Sequence, residues 1–481
     1  MTNTAVRKTE KVSNPTIFGY GIGALGFNTA ATLFFVFFLF FLTTGAGFDP
    51  AISGLIILIA VLWDGITDPL IGHLSDKSQS RLGKRRPFIL AGSVPLFVLC
   101  ILMFTDVDFV SGTGKLFYFV AINMLFWLAF TTVDIPWQTL GSEITEDYNE
   151  RTKLRTVSSV FMQVGALVVL VGSPLMIGYG AEAYGSGDAG WVFMATVWAV
   201  VILISYLIAW RSTRGKEMSL SYDTDSSKFS RNIFSKVGMA LKNRSMRYLL
   251  GVATLLVASL SGILPAVVMF LLTFNLGLTN EADQSAYMGV YAICAIIFTP
   301  VVGWASTRFA SSLGRAKVLG WFTLIAGCII VAGKFIGATP VMTLIMLAAA
   351  GCGGGAFWLL IYVLAYDVAA VESYKAGENK DGLVISIMSF SLKFAMAVGM
   401  GLSGVLLSLF GFDENSATQT AEALASVETV FCIFGGIPLI LGSLISFRFP
   451  ITKAKYEALQ EASEKKSGGI EYSEAAFADL L

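Results

Sequence analysis

The chain has 481 residues, 55% of them hydrophobic and only 14% charged, with 37 phenylalanines and a formal net charge of zero. Its mean hydropathy is +0.72. That balance excludes an ordinary soluble domain, and the lack of a basic surplus argues against a nucleic-acid partner.

A bilayer core of about 30 Å takes about 20 apolar residues per helix. The chain supplies twelve such runs, predicting spans at 17–44, 50–74, 88–106, 116–142, 156–180, 190–211, 246–277, 286–309, 317–336, 340–367, 384–411 and 425–449. A β-barrel would alternate apolar and polar residues instead. The first run is too long for a signal-peptide core and lacks a cleavage pattern, so it is expected to remain as a helix. Its Gly21-Ile-Gly-Ala-Leu-Gly26 matches a dinucleotide fingerprint by letter only. No βαβ unit surrounds it, so helix packing is the reading.

The second run carries Asp64 and Asp68, one helical turn apart and therefore on one face. A carboxylate in hydrocarbon costs at least about 2.5 kcal/mol on insertion scales, which makes such acids functional by default. The lone histidine, His73, sits near the inner end of that run and reads as interfacial. The fourth run holds Thr131, Thr132, Asp134, Trp137 and Gln138, and the eleventh holds Lys393. Counted from the predicted inner ends, the three acids and the lysine fall in one layer, roughly 9 to 15 Å deep at about 1.5 Å per residue. If all four are ionised the layer is negative, and it calls for a cation or a proton. Hard cations such as Na⁺ take oxygen ligands, and Thr67, Thr131 and Thr132 stand beside the acids.

Trp63, Trp127, Trp137 and Trp358 fall in the inner halves of their spans, where a ring can stack on a sugar's C–H face or simply pack. The five cysteines all lie in predicted spans without metal-ligand spacing. No paired nucleophile and base is present, so no enzyme is expected. Of the 33 Lys and Arg, 30 fall on one side if the N-terminus is cytoplasmic. By the positive-inside rule both termini are then cytoplasmic.

Two halves share a register. Pro69-Leu-Ile-Gly72 to Ser75, then Leu82-Gly83-Lys84, recurs 231 residues later as Pro300-Val-Val-Gly303 to Ser306, then Leu313-Gly314-Arg315. Phe126-Trp127-Leu128 recurs at the same offset as Phe357-Trp358-Leu359. Two six-helix bundles in parallel pseudo-repeat make the major facilitator fold, with solute bound between them near the midplane. The expected organisation is a bundle over 1–211, a polar linker over 212–245, a second bundle over 246–449 and a charged tail over 450–481, partly helical around Lys453 to Lys465. At the repeat offset Asp64 becomes Ala295, Asp68 becomes Thr299 and Asp134 becomes Ala365. Acids in one half only favour a site over a structural need.

Trp63-Asp-Gly-Ile-Thr-Asp-Pro69-Leu-Ile-Gly72 and Ser80-Arg-Leu-Gly-Lys-Arg-Arg-Pro87 resemble motifs of the glycoside-pentoside-hexuronide:cation symporters, the melibiose permease family. Thr131-Thr-Val-Asp134-Ile-Pro136, Tyr148-Asn-Glu150-Arg151-Thr, Ala356-Phe-Trp358 and Lys393 extend the similarity along nearly the whole chain. The resemblance implies sugar symport with Na⁺, Li⁺ or H⁺ as co-transported ion and no bound cofactor. It matches Asp64, Asp68 and Thr131 to the cation site, Lys393 to a helix-eleven lysine near that site and Asp134 to a helix-four sugar aspartate. Thr67 and Asp134 are expected to adjoin the cation, and coupling is expected through Asp134 and Lys393. The sugar side departs from the pattern, because a helix-one Lys-Asp pair is Phe27-Asn28 here, a helix-five arginine is Ser159 and a tryptophan is Gln138. Asn28, Asp134, Trp137, Gln138 and Trp358 are the residues expected to meet the solute. A monomer in a bacterial inner membrane is the expected setting, and a lysolipid transporter on the same fold is the alternative.

Overall fold

The computed structural model describes residues 12–78, 80–107, 112–145, 148–216, 243–309, 314–376, 381–413, 416, 419–467 and 473–480. Within these, every long element is helical. Twelve helices are long and apolar enough to cross a membrane. They are α1 (Asn14–Phe38), α2 (Pro50–Asp76), α3 (Arg86–Met103), α4 (Thr113–Glu143), α5 (Tyr148–Tyr184), α6 (Gly187–Ser212), α7 (Arg244–Asn275), α8 (Glu281–Arg308), α9 (Arg315–Ile336), α10 (Pro340–Ala376), α11 (Asp381–Leu409) and α12 (Ala421–Phe447). A thirteenth, α13 (Lys453–Ser467), is polar.

All twelve predicted spans are present. The largest differences are α5, which starts at Tyr148 rather than 156, and α10, which runs to Ala376 rather than 367. In both cases the helix continues past its apolar window into charged residues such as Lys153 and Lys375. Hydropathy detects the hydrocarbon crossing, whereas the hydrogen-bonded ladder ends only where the backbone turns.

Several helices start at a capping side chain. Asp49 Oδ1 accepts from Ala51 N at 2.8 Å, Asn243 Oδ1 from Ser245 N at 2.8 Å and Asn280 Oδ1 from Ala282 N at 2.9 Å. Each satisfies an amide that the first turn leaves without a partner.

The sequence repeat is also a backbone repeat. After α1 a wide turn is closed by Ala46 N to Phe41 O at 2.8 Å and Phe48 N to Leu42 O at 2.9 Å, around Gly47 at φ 69°. After α7 the same turn is closed by Leu276 N to Leu271 O and Leu278 N to Leu272 O, each at 3.1 Å, around Gly277 at φ 64°. Positive φ at both turns is the reason for glycine. Ser75 Oγ donates to Gly72 O and Ser306 Oγ to Gly303 O, both at 2.9 Å.

The chain divides into two compact units, Met1–Phe34 with Leu62–Ser226, and Phe35–Val61 with Ser227–Leu481. The first is held by α1 against α5 and α6, and by α3 against α4 and α6. Small residues set those distances. A Cβ on Gly165 would lie 2.9 Å from Leu25 O, and one on Gly92 would lie 2.7 Å from Val133 Cγ2. In the second unit α8 packs on α10, α9 on α10 and α12, and α7 on α11. The segment Phe35–Val61 groups with this second unit, away from the remainder of α1 and α2. Its packing shows why, since a Cβ on Gly54 would lie 2.7 Å from Gly401 O, Ser408 Oγ donates to Asp49 Oδ2 at 2.7 Å, and the Phe40 ring meets Phe270 edge-on at 5.0 Å.

Beyond α13 the tail returns to the end of α10. Phe477 is buried with its ring 5.5 Å from Tyr374, whose hydroxyl donates to Glu474 Oε1 at 2.7 Å. Of the expected linker, residues 217–242 lie outside the described residues, as do the N-terminal basic residues up to Lys11.

Candidate functional site

α2 and α4 each bring an acid-bearing turn into the first unit. Asp64 is fully buried, and Thr67 and Thr131 are almost so. Thr131 Oγ1 lies 2.5 Å from Asp64 Oδ1 and 3.1 Å from Asp68 Oδ1, joining the two helices. A hydroxyl has one hydrogen, so it donates to one carboxylate at a time. The shorter contact, to Asp64, is the better donor geometry. Three oxygens, one hydroxyl and one from each carboxylate, thus converge, a set of the kind that suits a hard monovalent cation or an added proton.

Proline shapes both turns. Pro69 and Pro136 have no amide hydrogen, so the carbonyls of Gly65 and Thr132, four residues earlier, lose their usual helical donors. Those carbonyls lie beside Asp64 and Thr131 in sequence and add oxygen acceptors to the same turns.

Asp134 sits about a turn from Thr131 on α4 and is buried. Gln138 Nε2 donates to its Oδ2 at 2.8 Å, the i, i+4 pairing that a helix allows. Around it the wall is aromatic. Trp137 stacks on Tyr20 with ring centres 5.1 Å apart and meets Tyr206 edge-on at 6.4 Å.

Not every expected ligand faces the acids. Thr67 Oγ1 donates to the backbone oxygen of Asp64 at 3.1 Å, so its hydrogen is committed to its own helix. Thr132 is likewise turned back, to Leu128 O at 2.7 Å. Trp137 is 2% exposed, its ring stacks on Tyr20 and its Nε1 donates to Tyr20 O at 3.2 Å, so it forms part of that wall. Asn28 Nδ2 donates across to Met162 O on α5 at 2.7 Å, which leaves its oxygen as an acceptor. Ser159 donates to Arg155 O in its own helix at 2.9 Å.

Lys393 and Trp358 belong to the second unit. Lys393 is half-buried on α11, whereas Trp358 on α10 is 42% exposed and contacts Phe357 at 5.2 Å. The His73 side chain lies outside the described residues. Tyr20 and Tyr206, both fully buried, were not singled out from the sequence. The available signal was a hydroxyl placed deep in an apolar run, where phenylalanine is the common choice in this chain.

At the inner end of the first unit, Arg85 binds Glu143 at 3.0 Å and Ser75 Oγ at 2.6 Å. Arg86 donates to Trp210 O at 3.0 Å and lies over the Trp210 ring at 4.7 Å. This is how the basic run 84–86 ties the α2–α3 connection to α4 and α6.

Comparison with known proteins places this architecture. The uncharacterized symporter YnaJ of Bacillus subtilis is 27% identical over 463 residues, covering 95% of this chain and 96% of that protein. The isoprimeverose transporter of Lactiplantibacillus pentosus is 24% identical, covering 93% and 91% respectively. The Escherichia coli glucuronide carrier protein homolog is 24% identical over 94% of this chain and 95% of its own length. Among solved structures, a bacterial homologue of the human lysosomal transporter Spinster superposes with a TM-score of 0.66 at 15% identity, over 91% of this chain and 98% of that one. At that identity the match speaks for the fold alone. The family described as MFS/sugar transport protein matches residues 19–453, nearly the full length. The chain therefore belongs to the MFS/sugar transport protein family, among the glycoside-pentoside-hexuronide type symporters, and is a transporter rather than an enzyme.

Proposed function

We propose that this protein imports a sugar or glycoside by alternating access, driven by a monovalent cation that enters with it. The observation that carries the reading is the sharing of one Thr131 hydroxyl by Asp64 and Asp68. Two carboxylates brought to one hydroxyl, Asp64 fully buried and Asp68 half-buried, repel each other, and a cation or proton at that point relieves the repulsion. Na⁺, Li⁺ and H⁺ all meet that need. The relatives support the solute class, since several are named as carriers of glycosides or glucuronides. Asp134 and Gln138 then offer an acceptor and an amide to sugar hydroxyls, with Asn28 contributing its oxygen.

Coupling follows from linkage. If the cation fixes α4 at Thr131, it also fixes Asp134 one turn away, and solute affinity rises. The solute must raise cation affinity by the same factor. The setting proposed is a bacterial inner membrane, with a monomeric chain and cytoplasmic termini, supported by the one-sided placement of Lys and Arg.

The test is uptake into proteoliposomes of a panel of nitrophenyl glycosides, free pentoses and hexuronates under an imposed Na⁺, Li⁺ or pH gradient. Accumulation of one of these above equilibrium with one gradient, and its loss in D68N, is the expected result. Equal accumulation without any gradient would sink the coupling. Uptake competed only by lysolipid would replace the solute class.

A further inference from the structure

Tyr20 on α1 and Tyr206 on α6 are each 0% exposed, and neither hydroxyl has a hydrogen-bond partner. A buried hydroxyl left unpaired costs about 1–3 kcal/mol, a cost phenylalanine would avoid with the same ring. The packing around both rings is built to accept them as they are. A Cβ on Gly141 would collide with the Tyr20 hydroxyl, a Cβ on Gly23 would collide with the Trp137 indole that stacks on Tyr20, and a Cβ on Gly26 would lie 3.4 Å from the Tyr206 ring. Three glycines and a tryptophan therefore hold two hydroxyl-bearing rings where a purely apolar contact would have served as well.

Both rings pack against Trp137, three residues from Asp134 on α4, and Asp134 is the carboxylate whose charge acts on both hydroxyls. Arg155, on α5, is the other charge that reaches Tyr20. Gln138 already donates to Asp134 Oδ2 from one turn away on α4. The tyrosines approach from two other helices, so their donors arrive from directions α4 cannot supply.

We propose that Tyr20 and Tyr206 are positioning residues for Asp134, supplying hydrogen bonds through ordered water that orient its carboxylate toward the solute. The proposal rests on the reading of Asp134 as a solute ligand. A carboxylate held by donors from α1, α4 and α6 is fixed relative to all three helices, which makes the solute site sensitive to any shift among them. The aromatic wall confers this without exposing a polar group to the apolar packing around it.

The test uses Y20F and Y206F in the full-length protein, since each keeps the packed ring and removes only the hydroxyl. A nitrophenyl glycoside bound by the unsubstituted protein should bind about tenfold more weakly to each variant, the loss of one hydrogen bond to a charged acceptor. Cation affinity measured without glycoside should change less than twofold. The decisive reading is infrared: the Asp134 carboxylate band is obtained as the difference between each protein and its D134N counterpart, and it should shift in Y206F and Y20F. A band in the same position in all three backgrounds would overturn the proposal, as would unaltered glycoside affinity in both variants. If D134N itself binds glycoside undiminished, the solute-ligand reading of Asp134 fails, while the infrared comparison still decides whether the tyrosines bond to it.

Discussion

The α2–α4 pair of the first unit and the α8–α10 pair of the second come from one repeated pattern and do opposite things. In the second, the helices meet backbone to backbone: a Cβ on Gly355 would lie 2.7 Å from Ala295 O, and one on Gly351 would collide with Tyr291 O. Thr299, in the place of Asp68, turns its hydroxyl back to Ala295 O at 2.7 Å. In the first, the positions matching Gly351 and Gly355 are Val120 and Met124, and the helices are joined through Thr131 and the two carboxylates. Identical backbone turns thus frame a closed, glycine-packed contact in one half and an oxygen-lined one in the other. Charge alone does not make the site, because it also needs helices held far enough apart for side chains to meet between them.

The most severe break of that comparison is to write the acids into the glycine-packed pair. A295D with T299D forces two carboxylates, one turn apart, into a half-buried contact where a Cβ on Gly355 would already lie 2.7 Å from Ala295 O. Two like charges crowded into that contact cost several kcal/mol, so the variant should fail to accumulate as folded protein. Monodisperse protein in detergent with an unchanged melting temperature would show that α8 and α10 have room for side chains after all.

Next in size is removal of one acid from the open pair. D64N or D68N removes one of the two carboxylates that face Thr131, and cation affinity should fall about hundredfold, corresponding to the roughly 3 kcal/mol typical of breaking a charged set. Isothermal titration with NaCl and LiCl, together with gradient-driven uptake, reads it. Because Asn matches Asp in shape, the fold should hold, with a melting temperature at or above the original. Full coupling in both variants would move the cation site away from α2.

These contrasts were partly legible before any coordinates. Twelve spans, the repeat and the one-sided acids all follow from hydropathy and register, which depend on residue type. What α2 and α4 do with their hydroxyls does not. Thr67, Thr131 and Thr132 are indistinguishable as letters, yet only Thr131 turns its oxygen across to the acids, while the other two bond back to their own helices. A helical threonine chooses between those rotamers according to what faces it, and that neighbour comes from a helix more than 60 residues away. Trp137 was open to two readings for the same reason, since stacking on solute and packing in a wall use one ring. The stacked Tyr20 supplies the packing partner that the sequence did not reveal. The grouping of Phe35–Val61 with the second unit was likewise hidden, because it depends on Gly54 meeting Gly401 far along the chain.

Removing the bridge alone is a milder cut. T131A deletes the shared hydroxyl but leaves both acids, and about tenfold weaker cation binding is expected, one charge-assisted hydrogen bond or ligand being lost. T131S should restore most of it. Equal defects in T131A and T131S would mean that the methyl group, through packing, matters more than the oxygen.

The smallest effect concerns the helix starts, where the two halves differ by one atom type. Asp49 begins α2 and Asn280, its repeat partner, begins α8; both cap the first turn in the same way. Only Asp49 has a second oxygen in use, accepting from Ser408 at 2.7 Å on α11. D49N preserves the cap, since Asn serves there as well as Asp, and it converts a charged acceptor to a neutral one. D49A removes both interactions. Stability should therefore fall by about 1 kcal/mol in S408A and D49N and by about 2 kcal/mol in D49A, whereas N280A should lose only the cap, about 1 kcal/mol. Thermal unfolding in one detergent orders the four variants. If D49A and N280A prove equal, the Ser408 contact contributes nothing, and the attachment of Phe35–Val61 to the second unit rests on the glycine packing of Gly54 and Gly401 alone.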